Sequence, residues 1–216
     1  MSYTKPISHS SRKLFAKCPK QWHDKYVLGN KTETGAAAAR GTNIHEEIER
    51  FYRHSIPLSN PVLMPWRRVL EALTLKSPVP EAELARTSEW QMTKFDAPEA
   101  FYRGKLDLRY DDSAVHVIAD WKTGRKYPEH EEQGLDYVAL SDERDAYRTE
   151  FYYIDQPLCV VTFNYTKDQR ARQIDKIQHE VNKIRAEENF DPTPGNFACR
   201  YCPLSWRNGG KCEAAP

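Results

Sequence analysis

Two β-prone runs, residues 102–110 and 115–121, are separated by Asp111, Asp112 and Ser113, residue types that make tight turns. A hairpin that turns about Ser113 and Ala114 places Asp107 opposite Asp120. Facing residues of an antiparallel pair point to one side, with Cβ atoms roughly 4.5–5.5 Å apart. Lys122, two positions beyond Asp120, projects to that same face, while Val115, Val117 and Ala119 take the other, as a core requires. A slip of one residue would part the two carboxylates and turn the apolar set outward.

Two carboxylates so placed hold Mg²⁺ or Mn²⁺, which polarises a phosphate and lowers the pKa of a bound water. A lysine beside them orients or deprotonates that water, or neutralises charge developing on phosphorus. The spacing alone equally fits a surface hairpin with two unrelated aspartates and a salt-bridging lysine, so other segments must decide. In Gly41-Thr-Asn-Ile-His45-Glu-Glu-Ile-Glu49, His45 and Glu49 lie one helical turn apart beside an Ile44 and Ile48 stripe, where the imidazole can complete a metal shell. Gln133 and Tyr137 are again four apart, so an amide and a phenol share a helical face that can bind phosphate or support the lysine. A polar glutamine beside a partly buried tyrosine is the plainer reading of that pair.

The rest of the chain reads as helices followed by strands. Leu14, Cys18, Trp22 and Tyr26 mark one helical face, and the alanines at 36–39 open a second helix that ends near Arg53 or His54. Prolines 57, 61, 65, 78 and 80 break residues 55–85 into loops around one short helix at 66–75. Strands are predicted at 87–92, 102–110, 115–121, 150–154 and 158–165, with helices at 131–140 and through Ile174, Ile177, Val181 and Ile184. This order predicts one α/β or α+β domain over 1–216 with a central sheet. Thirty-two basic against 31 acidic residues give a net charge of +1, so any nucleic-acid contact must be local. No apolar run approaches the roughly 20 residues of a membrane span, and Met1–Ser11 lacks the apolar stretch of a signal peptide, so a cytoplasmic protein without membrane contact is expected.

Five cysteines are an odd number for a disulfide framework. Cys199-Arg-Tyr-Cys202 and Cys212, the last after Gly209 and Gly210, offer three thiolates to zinc or an iron–sulfur cluster, both of which accept four. Cys159, in an apolar run, reads as a core residue, so Cys18 is the better fourth. Ligation by these four would staple residues 1–30 to 190–216.

The order of these features resembles the RecB-like branch of the PD-(D/E)XK nucleases, in particular the small exonucleases related to CRISPR-associated and AddB-type iron–sulfur nucleases, phage versions included. The likeness runs over nearly the whole chain: Cys18-Pro19, Trp22 and Tyr26; Gly41, His45 and Glu49; Gly104 and Asp107; Asp120-Trp121-Lys122; Gln133 and Tyr137; Pro194-Gly195; Cys199, Cys202-Pro203 and Cys212. It implies a restriction-endonuclease-like α/β core, a central mixed sheet flanked by helices, with a cysteine-ligated cluster appendage joining the two ends. It further implies a divalent metal on His45, Asp107, Asp120 and the backbone carbonyl of Trp121, a catalytic Lys122, a site shaped by Gln133 and Tyr137, and a [4Fe-4S] cluster on the four cysteines. Asp120 stands where glutamate is also common. The gap between Cys202 and Cys212 is longer than such relatives lead one to expect, which keeps Zn²⁺ as the alternative.

The leading expectation is a DNA exonuclease acting on single strands or ends. Arg103, Lys105, Arg125 and Lys126 would hold phosphates, with Trp121 and Tyr127 stacking on bases. A second expectation is a DNA-end-binding adaptor with weak or no catalysis, working with recombination or CRISPR-type spacer-processing proteins. A third is a zinc-stapled structural protein. Relatives include ring-like assemblies, which makes a homo-oligomer an expectation, and a phage-encoded version would work in the cytoplasm of its bacterial host.

Overall fold

The computed structural model of the chain describes residues 3–30 and 35–214. Seven helices, α1 (His9–Lys17), α2 (Pro19–Tyr26), α3 (Ala36–His54), α4 (Arg67–Thr74), α5 (Glu129–Leu140), α6 (Lys167–Ala186) and α7 (Asn196–Arg200), are described with six strands. The strands are β1 (Val79–Arg86), β2 (Met92–Thr93), β3 (Tyr102–Asp112), β4 (Val115–Lys122), β5 (Ala146–Tyr153) and β6 (Val160–Thr166). They form one mixed sheet in the order β2-β1-β3-β4-β5-β6, antiparallel except for β4 beside β5. That parallel pair needs a crossover, which α5 supplies. The β3–β4 hairpin has the expected register, Asp112 facing Val115 and Leu108 facing Ala119, with Ser113 at a positive φ of 57° in the turn.

Helices cover both faces, and β4 alternates between two cores. Ile118 joins Trp22, Leu106, Val138, Leu140, Ile177 and Val181 in one. Val117, Ala119 and Trp121 join Ile44, Ile48, Trp66 and Leu70 in the other. Among the described residues no helix is long and apolar enough to cross a membrane.

Four local expectations fail, each for a physical reason. The first helical face is interrupted at Cys18, whose backbone is extended (φ −165°, ψ 107°) as suits a residue before proline, and the helix restarts with Pro19 in its first turn. Residues 79–86 form β1 rather than loop, because β2 pairs only with Ala85 and Arg86 and leaves Pro80 on an open edge. Residues 87–92 turn back on themselves, Trp90 N–H donating to the Thr87 carbonyl, so that only Met92 and Thr93 are strand. Cys159 is half-buried in the turn before the edge strand β6 and is absent from both cores, with Leu158 beside it 63% exposed.

The elements around the first core are tied by a buried carboxylate. Asp136 on α5 is fully buried and accepts from His9 Nδ1 (2.6 Å), Arg12 (2.8 Å), the Tyr102 phenol (2.7 Å) and Gln173 Nε2 (2.5 Å). One side chain thus links α1, β3, α5 and α6. Burial by itself would raise the Asp136 pKa, but the bonds from His9 and the charge of Arg12 outweigh it and hold the carboxyl below its usual range. Removing an acceptor shared by three buried donors and the half-buried His9 should cost about 3–5 kcal/mol in Asp136→Ala, read from the urea midpoint at pH 7. Because the folded pKa is depressed, this contribution is complete above the unfolded value of about 3.9 and is lost as pH falls through the folded one. The gap between wild type and variant should therefore close in acid; a gap constant down to the folded pKa would contradict the assignment.

Candidate active site

The β3–β4 ladder ends at Leu108 and Ala119. One step on, the Asp107 carboxylate accepts the backbone N–H of Trp121 at 2.8 Å, so a side chain continues the pairing as the strands part. Asp120, buried on the same strand, has Lys122 Nζ at 2.6 Å. Lys122 also donates to Gln133 Oε1 at 2.8 Å, and Gln133 Nε2 donates to the Tyr137 oxygen at 2.7 Å. Accepting from Lys122 through its oxygen and donating to Tyr137 through its nitrogen fixes which way the Gln133 amide points. Burial, then the charges of Asp120 and Asp107, raise the Tyr137 pKa well above the phenol range, so it stays a donor. Burial likewise raises Asp120, with Lys122 opposing and Asp107 reinforcing. Gly104 lets α5 come this close to β3, since a Cβ there would lie 2.7 Å from Leu140 Cδ1.

His45 approaches from α3, its Nδ1 3.3 Å from Asp107 Oδ2. Burial disfavours charge on the ring, but Asp107, by hydrogen bond and charge, prevails with help from Asp120 and lifts the pKa to about 9. Glu81 completes a set that the sequence did not suggest: ligand atoms of His45, Glu81 and Asp107 all lie within 4.8 Å of one another. Glu81 sits at φ 51°, at the one gap in the β1–β3 ladder, between the Pro80–Leu108 and Ala82–Leu106 pairs. Leu106 and Leu108 share strand parity yet pack in different cores, so the strand pair turns over at Glu81 and Asp107. A non-glycine residue held there costs about 1–3 kcal/mol. Oxygen donors with one imidazole suit Mg²⁺ or Mn²⁺.

The expected DNA-contacting residues divide. Arg125, Lys126 and Tyr127 are exposed on the loop between β4 and α5. Lys105 is exposed but pairs with Glu81 at 2.5 Å, and Arg103 is turned onto Asp96 and the Phe95 ring. Trp121 cannot stack on a base: its indole is 2% exposed and packs 4.8 Å from Tyr152, because its parity is that of Ala119 rather than Asp120. His130, one turn before Gln133, bonds the Tyr153 hydroxyl at 2.7 Å and was not anticipated.

Cys18, Cys199, Cys202 and Cys212 line one pocket with Pro192, Pro194 and Leu204. The fold therefore brings both ends of the chain to one place, although residues 1–2 and 215–216 of the expected appendage lie outside the described ones. Burial raises the Cys202 pKa, and Cys18 and Cys199 are near enough to add to it.

If Glu81 is a metal ligand, Glu81→Gln should weaken Mn²⁺ binding, measured by calorimetry, by at least the 10–100-fold typical of outer-shell partners, roughly. Unchanged affinity would remove Glu81 from the set.

The model of the PD-(D/E)XK nuclease superfamily matches residues 6–207. In fold the chain is similar to a protein from Eubacterium rectale named "Putative exonuclease", with a TM-score of 0.60 at 13% identity over 95% of this chain and 88% of that one. It is also similar to SSO0001, with a TM-score of 0.45 at 15% identity over 99% and 89% of the respective chains. No curated protein matches the sequence. The superfamily match takes in α3, the β3–β4 hairpin, α5 and the first two cysteines of the tail, and the chain therefore belongs to the PD-(D/E)XK nuclease superfamily.

Proposed function

We propose that the chain is a divalent-metal-dependent DNA nuclease, an exonuclease acting on single strands or DNA ends. The observation that carries this reading is the chain of contacts from Asp120 through Lys122 and Gln133 to Tyr137, beside the His45, Glu81 and Asp107 set, where β3 and β4 part. His45, Asp107 and Asp120, with the Trp121 carbonyl and Glu81, are the groups that would hold Mg²⁺ or Mn²⁺. Such an ion, when bound, polarises a phosphodiester and acidifies water. Lys122, pinned by Asp120 and Gln133, presents its ammonium to the negative charge of the scissile group. Tyr137 keeps the Gln133 amide from rotating away from Lys122. Arg125, Lys126 and Tyr127 give the DNA backbone and a base a place to rest beside α5. The exonuclease name of the Eubacterium rectale protein supports exonucleolytic action here by analogy of fold.

The four cysteines fit a [4Fe-4S] cluster. Four thiolates gathered at one pocket are the number such a cluster takes, and a tetrahedral zinc takes the same four.

Cleavage of end-labelled single-stranded oligonucleotides with Mg²⁺ or Mn²⁺, and its loss with a chelator, tests the activity. Lys122→Ala should lower kcat about 10²–10⁴-fold while keeping its fold and Mn²⁺ affinity. DNA binding without cleavage by the metal-loaded wild type would overturn the catalytic reading in favour of an end-binding adaptor.

A further inference from the structure

Ser205 lines the same pocket as the four cysteines and is fully buried, yet its hydroxyl has no hydrogen-bond partner. The backbone around Ser205 is held in place. Ser205 N–H donates to the Cys202 carbonyl at 3.0 Å, and its own carbonyl accepts from Asn208 and Gly210 N–H, both at 2.9 Å. A β-bridge sets Ser205 beside Cys212, whose N–H donates to the Leu204 carbonyl at 2.8 Å. Gly210 makes this crossing feasible, because a Cβ there would lie 2.2 Å from the Leu204 backbone. With its backbone groups satisfied, Ser205 holds a buried hydroxyl with nothing to bond in the pocket that the four cysteines line, which is costly unless a partner arrives.

Metal loading removes the thiol protons and turns weak acceptors into anionic ones. We propose that the Ser205 hydroxyl donates a hydrogen bond to a sulfur of the cysteine-held centre and raises its reduction potential, an inference that rests on the iron–sulfur reading above. Donation to sulfur withdraws electron density and favours the reduced, more negative centre. Ser205 is then a positioning and tuning residue, far in role from the phosphodiester chemistry.

The experiment compares wild type, Ser205→Ala and Ser205→Thr, purified without oxygen, by iron and sulfide content, spectroelectrochemical potential and rate of bleaching in air. Ser205→Ala should retain the cluster at a more negative potential and bleach several-fold faster, with Ser205→Thr, which keeps the hydroxyl, returning towards wild type. A fully loaded Ser205→Ala with the wild-type potential would overturn the inference while leaving the cluster reading intact. Should Ser205→Ala fail to load, a loaded Ser205→Thr at the wild-type potential supports the hydroxyl, and one at a strongly altered potential counts against it. Wild type without iron would instead overturn the cluster reading itself.

Discussion

Asp107 takes the backbone N–H of Trp121 in place of a strand partner, and much of the site follows from that bond. It holds the hairpin in register where the ladder runs out, at the residue where a slip would do most harm. With that register held, Trp121 turns into the core against Tyr152 while Asp120 and Lys122 turn to α5. Asp107 itself remains beside His45 and Glu81. A carboxylate with two lone-pair regions per oxygen serves both the backbone and the neighbouring imidazole.

Helix α5 couples stability to the site. Gln133, backed by Tyr137, reaches Lys122, while Asp136 on another side of the helix gathers His9, Arg12, Tyr102 and Gln173. Rotation or retreat of α5 would break both sets together. Across the sheet, the left-handed Glu81 concentrates strain beside Asp107, and the proton that Asp107 favours on His45 is one that metal ligation would displace. The strain at Glu81 is the kind of local cost that a bound cation would offset.

Local spacing made part of this arrangement readable. Asp111, Asp112 and Ser113 signalled the turn, and period-two alternation then placed Asp107, Asp120 and Lys122. Period-four spacing set Gln133 and Tyr137 on one face, and they meet Lys122 and each other. Cys18 was matched to the tail by counting thiols, and the pocket unites it with Cys199, Cys202 and Cys212. Glu81 was hidden because Pro78 and Pro80 signal a loop, and only the open edge of β1 lets a strand pass there. Trp121 was misjudged although its parity with Val117 and Ala119 predicted burial. Asp136 and Ser205 carry no local signal: their partners lie on other elements or depend on a backbone crossing that no periodicity encodes.

The central claim is that the carboxylates about the parting strands, with His45, form a cation site next to a lysine held by Asp120 and Gln133. Anomalous scattering at the manganese edge from crystals soaked in Mn²⁺ tests it directly. The account predicts a peak within bonding distance, about 2.0–2.6 Å, of His45 and Asp107 with at least one of Glu81 and Asp120. Crystals with manganese bound elsewhere and this cleft empty at saturating concentration would contradict it.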